Sequence, residues 1–224
     1  MSKADNDIEF RSDMRVEYVD SMGDDKRIAQ AARVSTGNDD SDRPYEGLVR
    51  RLWSDQHTST FEHNTLTVMA EVPIFVAREW MRSRTFAYNE ISARYTEMEP
   101  VFYIPSEDRP LVQTGKAMDY RREAGDSGQF NRTHAAHCLQ ASAAWDWYQS
   151  MIEEGIAREV ARNVLPVSLY TRFYATANLR NWLHFIKLRA DPTALHEIQD
   201  AARQVADLIQ EKWPTAWAAY EETQ

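Results

Sequence analysis

Apolar positions recur with two different periods along this chain. Over Asp24–Val34 they fall at helical spacing, with Ile28, Ala31 and Ala32 on one face, which predicts a helix. A polar, turn-rich segment over Gly37–Pro44 separates it from a second helix over Tyr45–Trp53. Thr65–Val72 alternates instead: Leu66, Val68, Ala70 and Val72 point one way, Thr65, Thr67, Met69 and Glu71 the other. That is the pattern of a half-buried strand. Pro73 ends it and suits the first turn of a helix over Ile74–Arg82.

Further on, Glu99–Pro110 reads as a loop and Lys116–Asp126 is too polar to assign. Gln129–Glu154 predicts a long helix with Trp145, Tyr148 and Ile152 on its apolar stripe. Ala157–Leu165 is a short helix stopped by Pro166. Val167–Thr176, rich in β-branched and aromatic residues, reads as a strand. Asn178 is a candidate cap for a helix to Arg189, and Asp191-Pro192-Thr193 breaks that helix before a last one over Ala194–Trp213. Helices outnumber strands, so the class is α+β or mixed α/β. The length of 224 residues suits one large domain or two small ones, with residues 1–13 as a loose tail.

Composition narrows the function classes. Hydrophobic residues make up 43% and charged residues 27%, the balance of a globular protein with a sizeable core. The net charge of −9 argues against a general binder of nucleic-acid polymers, including an RNA-binding module. A single cysteine, Cys138, excludes a disulfide scaffold and a Cys-based zinc site. His134 and His137 are three apart on a helix but have no third ligand at fitting spacing, so no metal is expected. The first residues lack the apolar core of a signal peptide, and Leu66–Ala77 is too short to span a bilayer, so a cytoplasmic location away from membranes is expected.

Against that acidic background the arginines are unevenly placed. Arg78, Arg82, Arg84 and Arg94 crowd into one helix-to-strand passage beside Asn89, Glu90 and Ser92. Arg78 and Arg82, four apart, would share a helix face. Arg158 and Arg162 repeat that spacing, and Arg172, Arg180 and Arg189 follow. Arginine gives bidentate donors to phosphate and serine adds a neutral donor, so a localised anionic ligand explains the pattern. A solvated salt-bridge surface explains it too, and spacing alone leaves both open.

The run RSRTFAYNEISARY resembles the signature of the flavin-dependent thymidylate synthases, Arg-His-Arg, seven residues, then Ser. Here Arg82-Ser83-Arg84 is followed by seven residues and Ser92. The segments Phe61–His63, Pro73–Trp80, Phe102–Ser106, Arg158–Tyr174, Asn178–Arg180 and Leu188–Asp191 fit the same family in order along nearly the whole chain. The resemblance implies a single domain over 1–224 with an antiparallel sheet flanked by long helices. It implies a homotetramer with FAD and a uridine nucleotide between subunits, methylenetetrahydrofolate as carbon donor and NADPH as reductant. Methylation at C5 of the pyrimidine would then begin with hydride from reduced flavin, with no enzyme thiol, which agrees with an unactivated Cys138.

Site roles carry over with the resemblance. Glu79, Arg82, Glu90, Ile91, Ser92, Arg94, Arg162 and Arg189 are the expected nucleotide contacts, with the phosphate near Ser92 and Arg162. Arg189, Ser92 and Glu90 are the expected catalytic residues, Arg189 facing the uracil ring. Ser35, His57, Ser59, Glu62, Arg82, Ser83, Arg84, Asn178 and His184 are the expected flavin-side contacts. The chain departs from the family where Ser83 replaces His, Glu79 replaces Gln, His184 replaces Asn, and Pro192-Thr193-Ala194-Leu195 follows the LRAD run. These departures leave three readings open: a methylase of UMP like the family's nucleoside-antibiotic branch, an ordinary dUMP-to-dTMP synthase, or an inactive flavin- or nucleotide-binding paralogue.

Overall fold

The computed structural model describes residues 8–37, 43–116 and 119–224. In chain order these form β1 (Glu9–Arg11), β2 (Arg15–Met22), α1 (Asp25–Val34), α2 (Glu46–Ser54), a 3-10 segment (Thr58–His63), β3 (Thr65–Pro73), α3 (Ile74–Trp80) and β4 (Ala87–Glu90). Then come β5 (Val101–Tyr103), β6 (Val112–Lys116), β7 (Asp119–Glu123), α4 (Ser127–Glu153), α5 (Arg158–Ala161) and a 3-10 turn (Arg162–Val164). The chain finishes with β8 (Tyr170–Asn178), α6 (Leu179–Arg189), α7 (His196–Lys212) and α8 (Pro214–Glu221). The mixed α/β class is as expected, with an antiparallel sheet and long helices.

Two compact units share these elements, and the chain passes between them inside β3, α3, β4 and β8. The first takes residues up to Met14, Glu71–Glu79 and Glu90–Arg172. Its core is Phe102, Trp145, Tyr148 and Leu169, and α4 supplies the stripe the sequence predicted, with Ile152 packed against that core. Asp126 caps α4 by accepting from the Gln129 N–H (2.8 Å), and the Gln129 side chain returns the bond, which closes a capping box. A tail that was expected to be loose is not so from Glu9 on. β1 pairs in parallel with β5, and the Arg11 side chain, only 9% exposed, is ion-paired with Asp13 and Glu71. The earliest residues, 1–7, lie outside the described part, as do residues 38–42 of the expected polar loop. Two further expectations change here. Glu99–Pro110 contains β5, and the unassigned polar stretch is half of an antiparallel hairpin made by β6 and β7.

The second unit takes Arg15–Ala70, Trp80–Asn89 and Phe173–Gln224. Its sheet has the strand order β2-β3-β8-β4. The alternation read along β3 holds, since Leu66, Val68, Ala70 and Val72 are all fully buried. On the other face the Thr67 and Thr176 hydroxyls bond across β3 and β8 at 2.9 Å. α6 begins where Asn178 accepts from the Asn181 N–H (2.9 Å), the cap the sequence suggested. α6 buries Trp182, Leu183, Phe185 and Ile186. Trp182 meets Phe86 at 4.4 Å and Trp80 at 6.2 Å between ring centres, and its N–H donates to the Leu66 C=O at 3.0 Å.

α8 was not foreseen. Pro214 stands at its first turn, where a missing N–H costs nothing, rather than beyond the end of the preceding helix. Buried Asp25 accepts from the Thr215 and Ala216 N–H groups at 2.9 and 3.0 Å and so caps α8 from the start of α1. Burial pushes its carboxyl above the usual range, against those two hydrogen bonds.

Candidate functional site

In the first unit the end of β4 and the loop leaving it carry four of the expected nucleotide residues, Glu90, Ile91, Ser92 and Arg94. The Glu90 carboxylate accepts from the hydroxyl of buried Thr171 (2.6 Å). Ile91 donates its N–H to the Arg172 C=O (2.9 Å), which extends the pairing of β4 past its end. A tight turn follows. The Ser92 hydroxyl accepts from the Arg94 N–H (3.3 Å), and the Ser92 C=O accepts from the N–H groups of Tyr95 (3.0 Å) and Thr96 (3.1 Å). A short hydroxyl side chain favours such a turn by bonding its own backbone.

Exposed Arg94 reaches Glu159 (3.1 Å), with its guanidinium 5.7 Å from the Tyr95 ring centre. Arg158 reaches Glu97 at 2.9 Å. The structure therefore brings the Ser92–Glu97 loop to α5, whose C-terminal cap is exposed Arg162. Glu79 lies half-buried in the last turn of α3. Serine, exposed guanidinium and turn backbone on one loop suit an anion with several acceptor oxygens.

The second unit carries the other arginine run, with one correction. α3 stops at Trp80, so Arg82 does not share a helix face with Arg78; Arg82, Ser83 and Arg84 form the turn that follows. The Ser83 N–H donates to the Trp80 C=O (3.0 Å), and the Tyr88 hydroxyl lies 3.1 and 3.0 Å from the Trp80 and Ser83 carbonyls. Burial pushes the Tyr88 phenol well above its usual range, against the opposing charge of Arg189, so it stays protonated as a donor. Arg189 itself is the half-buried last residue of α6, where a cation complements the helix dipole. Arg82 and Arg84 are exposed and Ser83 is half-buried.

The expected flavin-side residues are spread over this unit. Ser35 ends α1 and donates its hydroxyl to the Ala32 C=O (2.8 Å). The 3-10 segment carries exposed His57 as its cap, exposed Ser59, and Glu62, which accepts from Arg180 at 2.5 Å. Asn178 spends its carbonyl on capping α6 and keeps its amide N–H groups. His184 lies exposed on α6 and lines a cleft of about 660 Å³.

Arg180, His184 and Lys187 enter that cleft at helical spacing from α6, with Trp53 and Tyr220 among the other lining residues. Cations and aromatic rings in one cleft fit a flat heterocycle bearing an anionic tail, as a flavin nucleotide does. Thr58 and Thr85, sequence neighbours of His57, Ser59 and Arg84, also line it. Among the described residues, Ser35, His57, Ser59, Glu62, Arg82, Ser83, Arg84 and Asn178 do not. Sequence reasoning missed Trp53, Lys187 and Tyr220. Tyr220 had a signal, since Trp217 and Tyr220 follow Pro214 at helical spacing. No three His, Cys, Asp or Glu side chains among the described residues are grouped to hold a metal ion. No described helix is long and apolar enough to cross a membrane.

Comparison with known proteins adds an independent line. Residues 17–215 match the family model described as thymidylate synthase complementing protein. The flavin-dependent thymidylate synthase of Streptomyces avermitilis is 41% identical over 217 residues, covering 93% of this chain and 88% of that protein. The Thermus thermophilus protein of the same name is 41% identical over 209 residues, covering 92% of this chain and 75% of that one. Among solved structures, the UMP/dUMP methylase PolB of Streptomyces cacaoi bound with 5-Br UMP has a TM-score of 0.88 at 40% identity. That match covers 95% of this chain and 96% of the other.

Proposed function

We propose a function from one premise: the chain belongs to the thymidylate synthase complementing protein family, whose curated members are flavin-dependent thymidylate synthases. The activity is flavin-dependent methylation at C5 of a uridine monophosphate. The observation that carries this is the near full-length likeness, at 40–41% identity, to proteins named for that chemistry. FAD is the flavin, methylenetetrahydrofolate the carbon donor and NADPH the reductant.

When bound, FAD supplies hydride chemistry; the rest falls to the chain's own groups. In this reading Ser92, Arg94 and Arg162 hold the nucleotide phosphate by charge-assisted and neutral hydrogen bonds. Ile91 and Glu90 fix the nucleotide beside them, and the bond from Thr171 keeps the Glu90 carboxylate in one rotamer. Arg189 lends positive charge to the uracil imide as the ring accepts electrons at C6, with Arg82 and Glu79 beside the nucleotide. His57, Ser59, Glu62, Arg84, Asn178 and His184 hold the flavin, with Ser35 and Ser83.

The chain acts as one catalytic domain in a cytoplasmic homotetramer with its sites between subunits. It accepts UMP as well as dUMP, with a place in nucleoside-antibiotic synthesis. The smaller Ser83, where the family has His, supports the ribonucleotide by leaving room for a 2′-hydroxyl. The test is turnover of the purified protein with UMP, dUMP and CMP, supplied with methylenetetrahydrofolate and NADPH, alongside light scattering. C5-methylated product from both uridylates, none from CMP, and a tetramer's mass are expected. A flavin-loaded protein that methylates neither uridylate would overturn the reading in favour of an inactive paralogue.

A further inference from the structure

The two ion pairs between the Ser92–Glu97 loop and α5 run in opposite senses. Arg94 on the loop reaches Glu159 on the helix, while Arg158 on the helix reaches Glu97 on the loop. The loop thus presents a cation then an anion, and the helix presents the same order at adjacent positions. Such crossed charges fix register, because sliding the loop along α5 would bring like charges together. All four side chains are close to half exposed, from 44% to 55%, so the pairs add little to stability by themselves. Their geometry has a more specific effect. Glu159 engages Arg94 through Nε rather than through the edge made by its two terminal NH2 groups. That edge is a bidentate fork for a second set of oxygens. Meanwhile Ser92 already accepts the Arg94 N–H, so the backbone under the guanidinium is fixed as well.

We infer that Glu159 and the Glu97–Arg158 pair are positioning residues for the nucleotide phosphate. They clasp the loop to α5 so that Arg94 meets the phosphate in one preset orientation, and they align the loop with the helix that ends at Arg162. The inference rests on the reading of Ser92, Arg94 and Arg162 as phosphate contacts. It opposes a simpler idea, that Glu159 merely competes with the phosphate for Arg94. The two differ in sign. A competitor's removal tightens nucleotide binding, whereas loss of an orienting partner weakens it by freeing a side chain that binding must then immobilise.

The experiment measures UMP and dUMP binding by calorimetry, with KM and kcat, on flavin-loaded protein. Wild type is compared with Glu159→Gln, Glu97→Arg, Arg158→Glu and the double variant Glu97→Arg/Arg158→Glu. Each single variant should raise Kd and KM about two- to fivefold, the range for exposed pairs, with kcat unchanged. The double variant, which restores opposite charges in reversed order, should return Kd to within about twofold of wild type. Flavin absorbance and thermal midpoint should stay the same throughout, which separates positioning from damage to the fold. Tighter binding by Glu159→Gln, unchanged single variants, or a double variant worse than either single would overturn the inference. A wild type that binds neither uridylate would sink the functional reading itself; wild-type binding with insensitive variants sinks only the clasp.

Discussion

The Ser92–Glu97 loop and the Arg82–Arg84 turn carry the same kind of side chain on different kinds of support. The loop is fixed at its surface by ion pairs that are half exposed to solvent. The turn stands on Trp80, which is fully buried and meets Phe185 at 4.8 Å and Phe173 at 5.4 Å between ring centres. Exposed pairs contribute at most about 1 kcal/mol and weaken with salt, whereas each buried aromatic side chain contributes several kcal/mol through area and close packing. Hence the same guanidinium chemistry rests on salt-sensitive surface pairs in one unit and on buried packing in the other.

The comparison breaks most severely if the aromatic support is removed. Trp182→Ala should destabilise the protein by about 3–5 kcal/mol, since it empties a fully buried site and strands the Leu66 carbonyl that its N–H satisfies. Thermal denaturation should show a midpoint lowered by roughly 6–20 °C and purified protein poorer in flavin. A midpoint within about 2 °C of wild type would mean that the turn does not depend on this cluster.

Arg189→Ala tests the second unit's electrostatics without removing its packing. A lost charge-assisted bond in a half-buried site should weaken uridylate binding or turnover by about 2–4 kcal/mol, with flavin content retained. Arg51→Ala is the control, because that side chain is 80% exposed and its ion pair is with Asp55 four residues on, at the end of α2. Its effect should stay within about 0.5 kcal/mol. Equal losses from the two variants would remove Arg189 from the site.

How much of this was legible follows from the same contrast. β3 declared itself because one face is fully buried, α1 through the helical spacing of Ile28, Ala31 and Ala32, and α6 through Asn178 at its cap. β2 did not, because it is an edge strand with most of both faces exposed, so RVEYVDSM has no clean alternation. β6 and β7 are held by a backbone ladder between polar residues, which leaves little hydrophobic pattern to read. In the site, the local run from Arg82 to Arg94 was visible as a motif. Its long-range partners were not: Glu159 lies 65 residues from Arg94, and Thr171 lies 81 from Glu90. No helical or strand period links such positions. Tyr88 is a similar case, since its role as donor beneath the turn depends on burial that only the folded chain creates.

Ser83→His sharpens the comparison at a single position in the Arg82–Arg84 turn. The Ser83 N–H and C=O are already engaged with Trp80 and Tyr88, so the substitution changes side-chain volume and not the turn. An imidazole forced into a half-buried, settled site costs roughly 1–3 kcal/mol, and the cost should fall mainly on the bulkier ribonucleotide. The UMP-to-dUMP ratio of kcat/KM should therefore drop about tenfold. An unchanged ratio would take Ser83 out of the specificity argument and turn attention to His184 and Glu79.

The smallest effect should come from Cys138→Ala in the first unit. The thiol lies on α4, half-buried, with its sulfur 3.7 Å from the His134 Nδ1. A cysteine next to an imidazole is the arrangement of many thiol nucleophiles, so the pair is the one feature that could support a thiol-first mechanism. Three observations count against it. Both residues sit on one helix, four apart, where such contact follows from spacing alone. The neighbouring ring contact of His134 is to Phe130 at 5.9 Å, an apolar partner that does nothing to orient an imidazole as a base. The turn Ser92–Thr96 makes its described bonds within itself and to α5 rather than to α4. Cys138 then behaves as a small packing residue, and alanine should change stability by less than about 0.5 kcal/mol and kcat by less than about twofold. If the pair did act as nucleophile and base, Cys138→Ala and His134→Ala would each lose at least a hundredfold in kcat, and the double variant no more than either single. That non-additive loss, with the fold intact by circular dichroism, would replace hydride-first chemistry with attack by a thiolate.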